Sequence, residues 1–333
     1  MRKVAVLGSG AWGTTLGQVM VDSGQQVLIW GRNKKVVREI NRRHSNRRFL
    51  KGIDLPRELK ATTDIKAVLE FADVILVAIP AQTLRGNLVE WKGFFPTDLP
   101  VISTLKGIEV DTQFRMTEVM QEVLGIEKSK LGLITGPNLA NEIIMRQPAG
   151  AVAASENQEI IDLITDMFST TYFRIYPSKD LVGCEFAGAA KSVIAIAVGM
   201  AVGMGYGENT QGLMITRGLS EVARLGEAYG ATPLTFLGLA GIGDLVASAQ
   251  SPLSRNRSFG EVLGKSGSIV KARQQIVKTV EGVYSAGAML ELAHRVGVEV
   301  PIIEAVSDVV AETLKPKDAL DRLMKVSIKA EIQ

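Results

Sequence analysis

Val4-Ala5-Val6-Leu7-Gly8-Ser9-Gly10-Ala11-Trp12-Gly13 joins a short apolar run to a glycine turn, and its reading decides the fold. Gly8, Gly10 and Gly13 have the G-x-G-x-x-G spacing, directly after a predicted strand and at the start of a predicted helix. In that context Gly8 permits the tight turn, Gly10 lets backbone approach an anion, and Gly13 lets the helix pack closely on the strand. The amides of the first helical turn then face negative charge, which predicts a pyrophosphate seat built from backbone. Glycines in such a turn can also serve packing alone.

Outward from this turn, short apolar runs alternate with amphipathic stretches as far as about Tyr176. They are Val4 to Leu7, Val27 to Trp30, Val74 to Ile79, Val101 to Ser103, Leu131 to Thr135 and Ala151 to Ala154. Continuous rather than alternating runs are those of strands covered on both sides, so a mainly parallel sheet with helices on both faces is expected. The strands' C-terminal ends should face the ligand.

After Pro177 the pattern changes to long Ala, Leu, Met and Gly-rich stretches with helical spacing, including Leu213 to Tyr229, Gly282 to Val296 and Ile302 to Leu314. Pro233, Pro252, Pro301 and Pro316 fall at helix starts or breaks. The expected fold class is an α/β Rossmann-like dinucleotide-binding domain over residues 1–177, then an all-α substrate and catalytic domain over 178–333. The far C-terminus is expected to fray.

A chain of 333 residues suits two domains better than one core. Its net charge of +3 fits an enzyme acting on small anions as well as a weak nucleic-acid binder. The Arg42 to Lys51 cluster has no aromatic among its cations except Phe49 and matches no nucleic-acid module, so no nucleic-acid partner is expected. Cys184 is the single cysteine and His44 and His294 the two histidines, which leaves neither a disulfide nor a Cys/His zinc site; no metal is expected. Met1 to Gly8 lack the regions of a signal peptide, and a reducing, cytoplasmic setting is expected. Leu181 to Gly205 is apolar enough to suggest a membrane span, but Glu185, Lys191 and scattered glycines favour a buried helix.

Dinucleotide enzymes restricted to NAD carry an acid about twenty residues past the turn, for the ribose 2'-hydroxyl. Here that place reads Leu28-Ile29-Trp30-Gly31-Arg32-Asn33. Arg32 suggests a 2'-phosphate, hence NADP. Lys34, Lys35, Arg38, Arg42, Arg43, Arg47 and Arg48 either add positive potential there or form a solvated helix face and loop.

Reduction of a ketone by hydride requires a proton donor. His44 lies among arginines in an expected surface loop and His294 late in a helix, so neither suits the task. Lys191 stands alone in Ala187-Gly188-Ala189-Ala190-Lys191-Ser192-Val193-Ile194, where burial would disfavour its charged form and make it a usable acid. It could instead reach past the alanines to solvent. Asp244, in Gly241-Ile242-Gly243-Asp244-Leu245, is flanked by glycines that would admit a ligand, but on residue pattern alone a helix cap is favoured. Ser254-Arg255-Asn256-Arg257 offers donors at a helix start, suited to a phosphate or equally to a solvated turn.

Taken together, the chain resembles the soluble bacterial NAD(P)-dependent glycerol-3-phosphate dehydrogenases. The resemblance runs through nearly all of it and rests on separated motifs in family order: Gly8-Ser9-Gly10-Ala11-Trp12-Gly13-Thr14-Thr15-Leu16, Thr104-Leu105-Lys106-Gly107-Ile108-Glu109, Gly136-Pro137-Asn138-Leu139-Ala140-Asn141-Glu142, Asn209-Thr210 with Ile215-Thr216-Arg217-Gly218, Gly241-Ile242-Gly243-Asp244 and Ser254-Arg255-Asn256.

The resemblance implies reversible reduction of dihydroxyacetone phosphate to sn-glycerol 3-phosphate, a phospholipid precursor, with NADP or NAD as cofactor and a homodimeric state. It implies that Lys191 accepts the proton in oxidation and donates it in reduction, with Asp244 orienting the lysine and the substrate hydroxyls. Lys106 would lie between cofactor and substrate, Gly136 and Asn138 would contact substrate, and Ser254, Arg255 and Asn256 would hold its phosphate. Ala11, Trp12, Arg32, Lys106, Ala140, Arg255, Thr279 and Glu281 would contact the cofactor. Two departures stand out: Asn138 replaces a common serine, and Ser192 follows the lysine where asparagine is usual. Runner-up readings are a reductase of a 2-hydroxy acid or ketopantoate, and a cofactor-binding sensor without chemistry.

Overall fold

The computed structural model describes residues 1–276 and 279–325. The chain divides into two compact units, Met1–Lys106 with Phe114–Glu185, and Gly107–Gln113 with the chain from Phe186 on. The expected fraying of the far C-terminus falls on residues 326–333, outside the described residues.

The first unit is built on strands β1 (Lys3–Leu7), β2 (Gln26–Trp30), β3 (Ser45–Asn46), β4 (Leu50–Asp54), β5 (Lys60–Thr62), β6 (Val74–Val77), β7 (Val101–Ser103), β8 (Leu131–Thr135), β9 (Ala149–Ala154) and β10 (Phe173–Ser178). Eight form one sheet in the order β10-β9-β8-β7-β6-β1-β2-β5, and β3 pairs with β4 in a separate ribbon. β1 lies between β2 and β6, in register Leu7 to Trp30 and Leu7 to Val77, so the strand order reverses beside the glycine turn. Ligands of open α/β sheets bind at that switch point.

Side chains alternate across the sheet and are buried on both faces. Val4 and Val6 enter one apolar cluster with Leu16, Ile29 and Ile134, while Ala5 and Leu7 enter the other with Trp30, Leu84 and Trp91. The expected parallel sheet is present with one reversal: β9 runs antiparallel to β8, and β10 runs parallel to β9. That reversal brings the start of β9 to the ligand-facing ends of β6, β7 and β8. Gly136, just past β8, sits against it: a methyl at Gly136 would lie 3.2 Å from the Ala151 Cα.

In the second unit the described chain is largely helical. Its main helices are Leu181–Gly203, which begins in the first unit, then Glu208–Ala228, Asp244–Gln250, Arg255–Ser266, Ile269–Gln275, Glu281–Val296, Pro301–Val310 and Pro316–Leu323. Pro233, Pro301 and Pro316 stand in the first turns of helical segments, where a missing amide hydrogen costs nothing. Leu181–Gly203 is long and apolar enough to cross a membrane, yet 83% of its most apolar stretch is buried within the fold. Val193, Ile194, Ile196 and Val198 are each fully covered, the pattern of a helix at the centre of a core.

At its start this helix is fastened in the first unit by a buried charge. Glu185 accepts from the Thr117 amide at 3.0 Å, the Thr117 hydroxyl at 2.7 Å and the Arg115 guanidinium at 2.6 Å. Burial pushes the Glu185 carboxyl up, against the pull of Arg115 and the Thr117 donors.

Candidate active site

The glycine turn has the geometry its spacing predicts. Gly8 has φ +139°, and a methyl there would lie 2.3 Å from the Ala78 carbonyl oxygen just beyond β6. A methyl at Gly13 would lie 2.0 Å from the Gly8 carbonyl oxygen, so the helix Ala11–Asp22 can pack this closely only through glycine. At Gly10, by contrast, a methyl would meet nothing within 4 Å, and no side chain caps the helix that follows. Ala11, Trp12 and Gly13 therefore present their first-turn amides beside an uncluttered backbone, which fits a pyrophosphate. Ala140 is brought onto this helix: its carbonyl accepts from the Thr15 hydroxyl at 3.4 Å, and Gln18 donates to the Ile144 carbonyl at 2.9 Å.

Arg32 stands exposed just past β2. Gly31, beside it, lies against Ser9: a methyl there would stand 2.2 Å from Ser9 Oγ, so a side chain at this position requires Ser9 to shift. Asn33 caps the helix Lys34–Arg43 by accepting from the amides of Lys35 and Val36, which accounts for the exposed lysines and arginines as a helix surface. His44 ends that helix with φ 47°, a cap position rather than a catalytic one.

Lys106 and Gly136, which follow β7 and β8, meet directly: Lys106 Nζ donates to the Gly136 carbonyl at 2.9 Å. Asn138 donates through Nδ2 to the Gly150 carbonyl at 3.2 Å, while its Oδ1 is buried with no partner. The Asn138 amide is therefore tied to β9 through one end, with its acceptor left for another group.

In the second unit Lys191 Nζ donates to Asp244 Oδ1 in a short ion pair and to Ser248 Oγ at 3.0 Å. The lysine side chain is 12% exposed and the aspartate 1%, so Lys191 does not reach past its alanines to solvent. A small void lined by Ala187, Ala190, Ile194, Gly241 and Leu245 flanks it. The cap favoured for Asp244 is corrected here. Gly243 is the capping residue of Asp244–Gln250 and makes no side-chain cap bond, whereas the Asp244 carboxylate takes the ammonium. A buried carboxylate is far better matched by a cation than by a neutral amide. Ser248 was missed by sequence reading; the signal was its place one turn after Asp244, on the same helix face.

Ser254 caps Arg255–Ser266, accepting from the Arg257 amide at 3.4 Å. Arg255 donates to the Thr279 carbonyl at 2.7 Å, and Asn256 Oδ1 accepts from the Gly282 amide at 3.1 Å. These bonds gather Ser254, Arg255, Asn256, Thr279 and Glu281 at two adjoining helix starts, since Glu281 opens Glu281–Val296. With Asn256's oxygen engaged, its amide hydrogens remain the donors it could offer an anion. Cys184 is buried, and burial pushes its thiol up to about 12, so it is no nucleophile. Among the described residues no group of three His, Cys, Asp or Glu side chains could hold a metal ion.

A backbone pyrophosphate seat at a sheet's switch point, with a largely buried lysine–aspartate pair in a helical unit, is the equipment of a dinucleotide-dependent enzyme. Residues 3–161 match the N-terminal domain, and residues 180–321 the C-terminal domain, of NAD-dependent glycerol-3-phosphate dehydrogenase. The chain is 47% identical to the glycerol-3-phosphate dehydrogenase (NAD(P)+) of Corynebacterium diphtheriae, over 99% of this chain and 100% of that one. It is 45% identical to the enzyme of the same name from Streptomyces avermitilis, over 99% and 98%. The crystal structure of glycerol-3-phosphate dehydrogenase from Coxiella burnetii superposes with a TM-score of 0.91 at 32% identity, covering 97% of this chain and 99% of that one. The chain belongs to the NAD(P)-dependent glycerol-3-phosphate dehydrogenase family, whose reaction is the reduction of dihydroxyacetone phosphate to glycerol 3-phosphate.

Proposed function

We propose that this chain reversibly reduces dihydroxyacetone phosphate to sn-glycerol 3-phosphate with NADPH or NADH, with Lys191 as the proton donor. The observation that carries the reading is the Lys191–Asp244–Ser248 cluster: one ammonium, largely buried, held by two fixed acceptors. The nicotinamide, when bound, supplies the hydride. Lys191 delivers a proton from Nζ to the substrate's C2 oxygen as negative charge develops there, and takes it back in oxidation. Asp244 and Ser248 hold the ammonium in one orientation, so little reorganisation is needed at the moment of transfer. Ser254, Arg255 and Asn256 bind the phosphate through donors and helix-start amides. Lys106, Gly136 and Asn138 serve the substrate, and Lys106 also the cofactor. Gly8, Gly10, Ala11, Trp12, Gly13, Arg32, Ala140, Arg255, Thr279 and Glu281 serve the cofactor. Residues 1–177 act as the dinucleotide-binding domain and 178–333 as the catalytic one.

Family membership supports the substrate, and the absence of an acid beside Arg32 supports use of NADPH. The same reading extends to a cytoplasmic homodimer feeding glycerophospholipid synthesis. The test is Lys191→Ala, assayed by oxidation of NADPH with dihydroxyacetone phosphate. Turnover should fall roughly 10³-fold with folding and NADPH binding retained. A rate near that of the unmodified protein removes Lys191 from the mechanism.

A further inference from the structure

Within the second unit, the helix Leu181–Gly203 and the helix Arg255–Ser266 meet backbone to backbone. A methyl at Gly199 would lie 2.1 Å from the Arg257 carbonyl oxygen, and one at Gly203 2.1 Å from that of Glu261. Reciprocally, a methyl at Gly260 would lie 2.2 Å from the Ile196 oxygen, and one at Gly264 2.2 Å from that of Met200. Contacts advance together along both chains, so the helices run parallel, and the glycines recur four residues apart on each. Helices with side chains between them pack 8–10 Å apart; small residues permit a closer approach. Interleaved side chains can yield by changing rotamer, but two backbones in contact have nothing to yield.

This seam ends at the candidate site. Asn256 lies one turn before Gly260 and accepts from the Gly282 amide at 3.1 Å. A methyl at Gly282 would in turn lie 2.5 Å from the carbonyl oxygen of Ser192, the residue after Lys191. The helix that carries the proton donor and the helix start that carries the phosphate-binding triplet are therefore held close by backbone contacts and by the Asn256 side chain's bond to Gly282.

We infer that Gly199, Gly203, Gly260 and Gly264 are positioning residues that set the span between Lys191 and the first turn of Arg255–Ser266. They thereby fit the site to a three-carbon ketone phosphate, whose carbonyl and phosphate must reach both ends at once. The inference rests on the proposed roles of Lys191 and of Ser254 to Asn256. A methyl at Gly260 can be relieved only if the helices part by about 1 Å, enough to bring the contact beyond 3.0 Å. A misplacement of that size costs roughly 10²-fold in a reaction that depends on alignment.

The readout is the ratio of kcat/KM for dihydroxyacetone phosphate to kcat/KM for dihydroxyacetone, which lacks the phosphate and needs no match between the two ends. In Gly260→Ala this ratio should fall roughly 10²-fold. In Gly287→Ala it should hold, because a methyl there meets nothing nearer than 3.9 Å. If Gly260→Ala yields no folded protein, Gly264→Ala, one turn farther from the site, is read in the same way. A merely structural seam would lower both substrates by one factor and leave the ratio unchanged, which overturns the inference. Lys191→Ala and Arg255→Ala, assayed beside them, separate the two levels. If Lys191→Ala keeps its rate, or Arg255→Ala keeps the phosphate preference, the underlying reading fails and the inference falls with it. If both behave as proposed while the Gly260→Ala ratio holds, the inference alone is overturned.

Discussion

The two units solve the problem of binding negative charge in opposite ways. In the first, the glycine turn works by what is missing: Gly8 takes φ +139° against the Ala78 carbonyl, Gly13 admits the Gly8 oxygen, and Gly10 leaves its side open. In the second, the largely buried Lys191 and the buried Asp244 and Glu221 are titratable groups whose partners come from other helices. The first kind of site is broken by adding atoms and is indifferent to charge. The second is broken by removing a charge without changing shape.

Substitutions can break that contrast. Gly8→Ala should have the largest effect, about 4 kcal/mol of stability lost with NADPH binding, since it combines a left-handed backbone with a methyl 2.3 Å from a carbonyl. Thermal unfolding and cofactor fluorescence titration measure both; a variant that melts and binds normally would show that the turn relaxes.

Next comes Glu221, whose carboxylate accepts from the amides of Ile302 at 3.0 Å and Ile303 at 3.3 Å, at the start of Pro301–Val310. Burial pushes its carboxyl from an ordinary 4.5 up to about 7, although the two amides pull it down. Folding thus favours the protonated form. The contribution is fully present below pH 4.5 and is lost as pH rises through 7, a change of about 3 kcal/mol. Urea unfolding of the unmodified protein and of Glu221→Gln between pH 4.5 and 8 should show the difference between them shrinking or reversing in that direction. Parallel pH curves would mean that Glu221 is ionised throughout.

Asp244→Asn keeps the shape and removes the charge, so kcat should fall about 10²-fold while NADPH affinity holds. Unchanged kcat would leave Ser248 as the residue that orients Lys191. The smallest effect is expected at the exposed Arg32. Arg32→Ala should raise KM for NADPH about tenfold and leave KM for NADH unaltered. A large preference for NADH in the unmodified protein would contradict the role given to Arg32.

Legibility followed the same division. β1, β2, β6, β7, β8 and β9 are apolar runs buried on both faces, and each is visible as a run of Val, Ile, Leu or Ala. β5 and β10 were not visible. Lys60–Thr62 is a three-residue edge strand, and Phe173–Ser178 buries one residue fully and exposes several, so neither makes a continuous run. The reversal at β9 was not legible either, because strand direction is set by where the segment from Gly136 to Pro148 leads the chain, not by the composition of the strand. At the site, Lys191 and Asp244 were each recognisable as unusual, but each also had an ordinary reading on residue pattern alone, a solvent-reaching lysine and a helix cap. The resemblance implies that Asp244 orients Lys191, and their meeting across 53 positions replaces the helix cap by an ion-pair partner.

By itself the sequence determined what is local: the glycine turn, the alternation of sheet and helix, the change to helices after Pro177, and the missing acid beside Arg32. Spacing along a chain decides conformation and packing faces over a few residues, and these features need no more. The tertiary structure decided what depends on distance: the direction of β9, the Lys191–Asp244–Ser248 cluster, the junction of Asn256 with Gly282, and the glycine seam between two helices. Charges and backbones far apart in the chain become neighbours only when the core has closed around them, and burial then makes a partner obligatory.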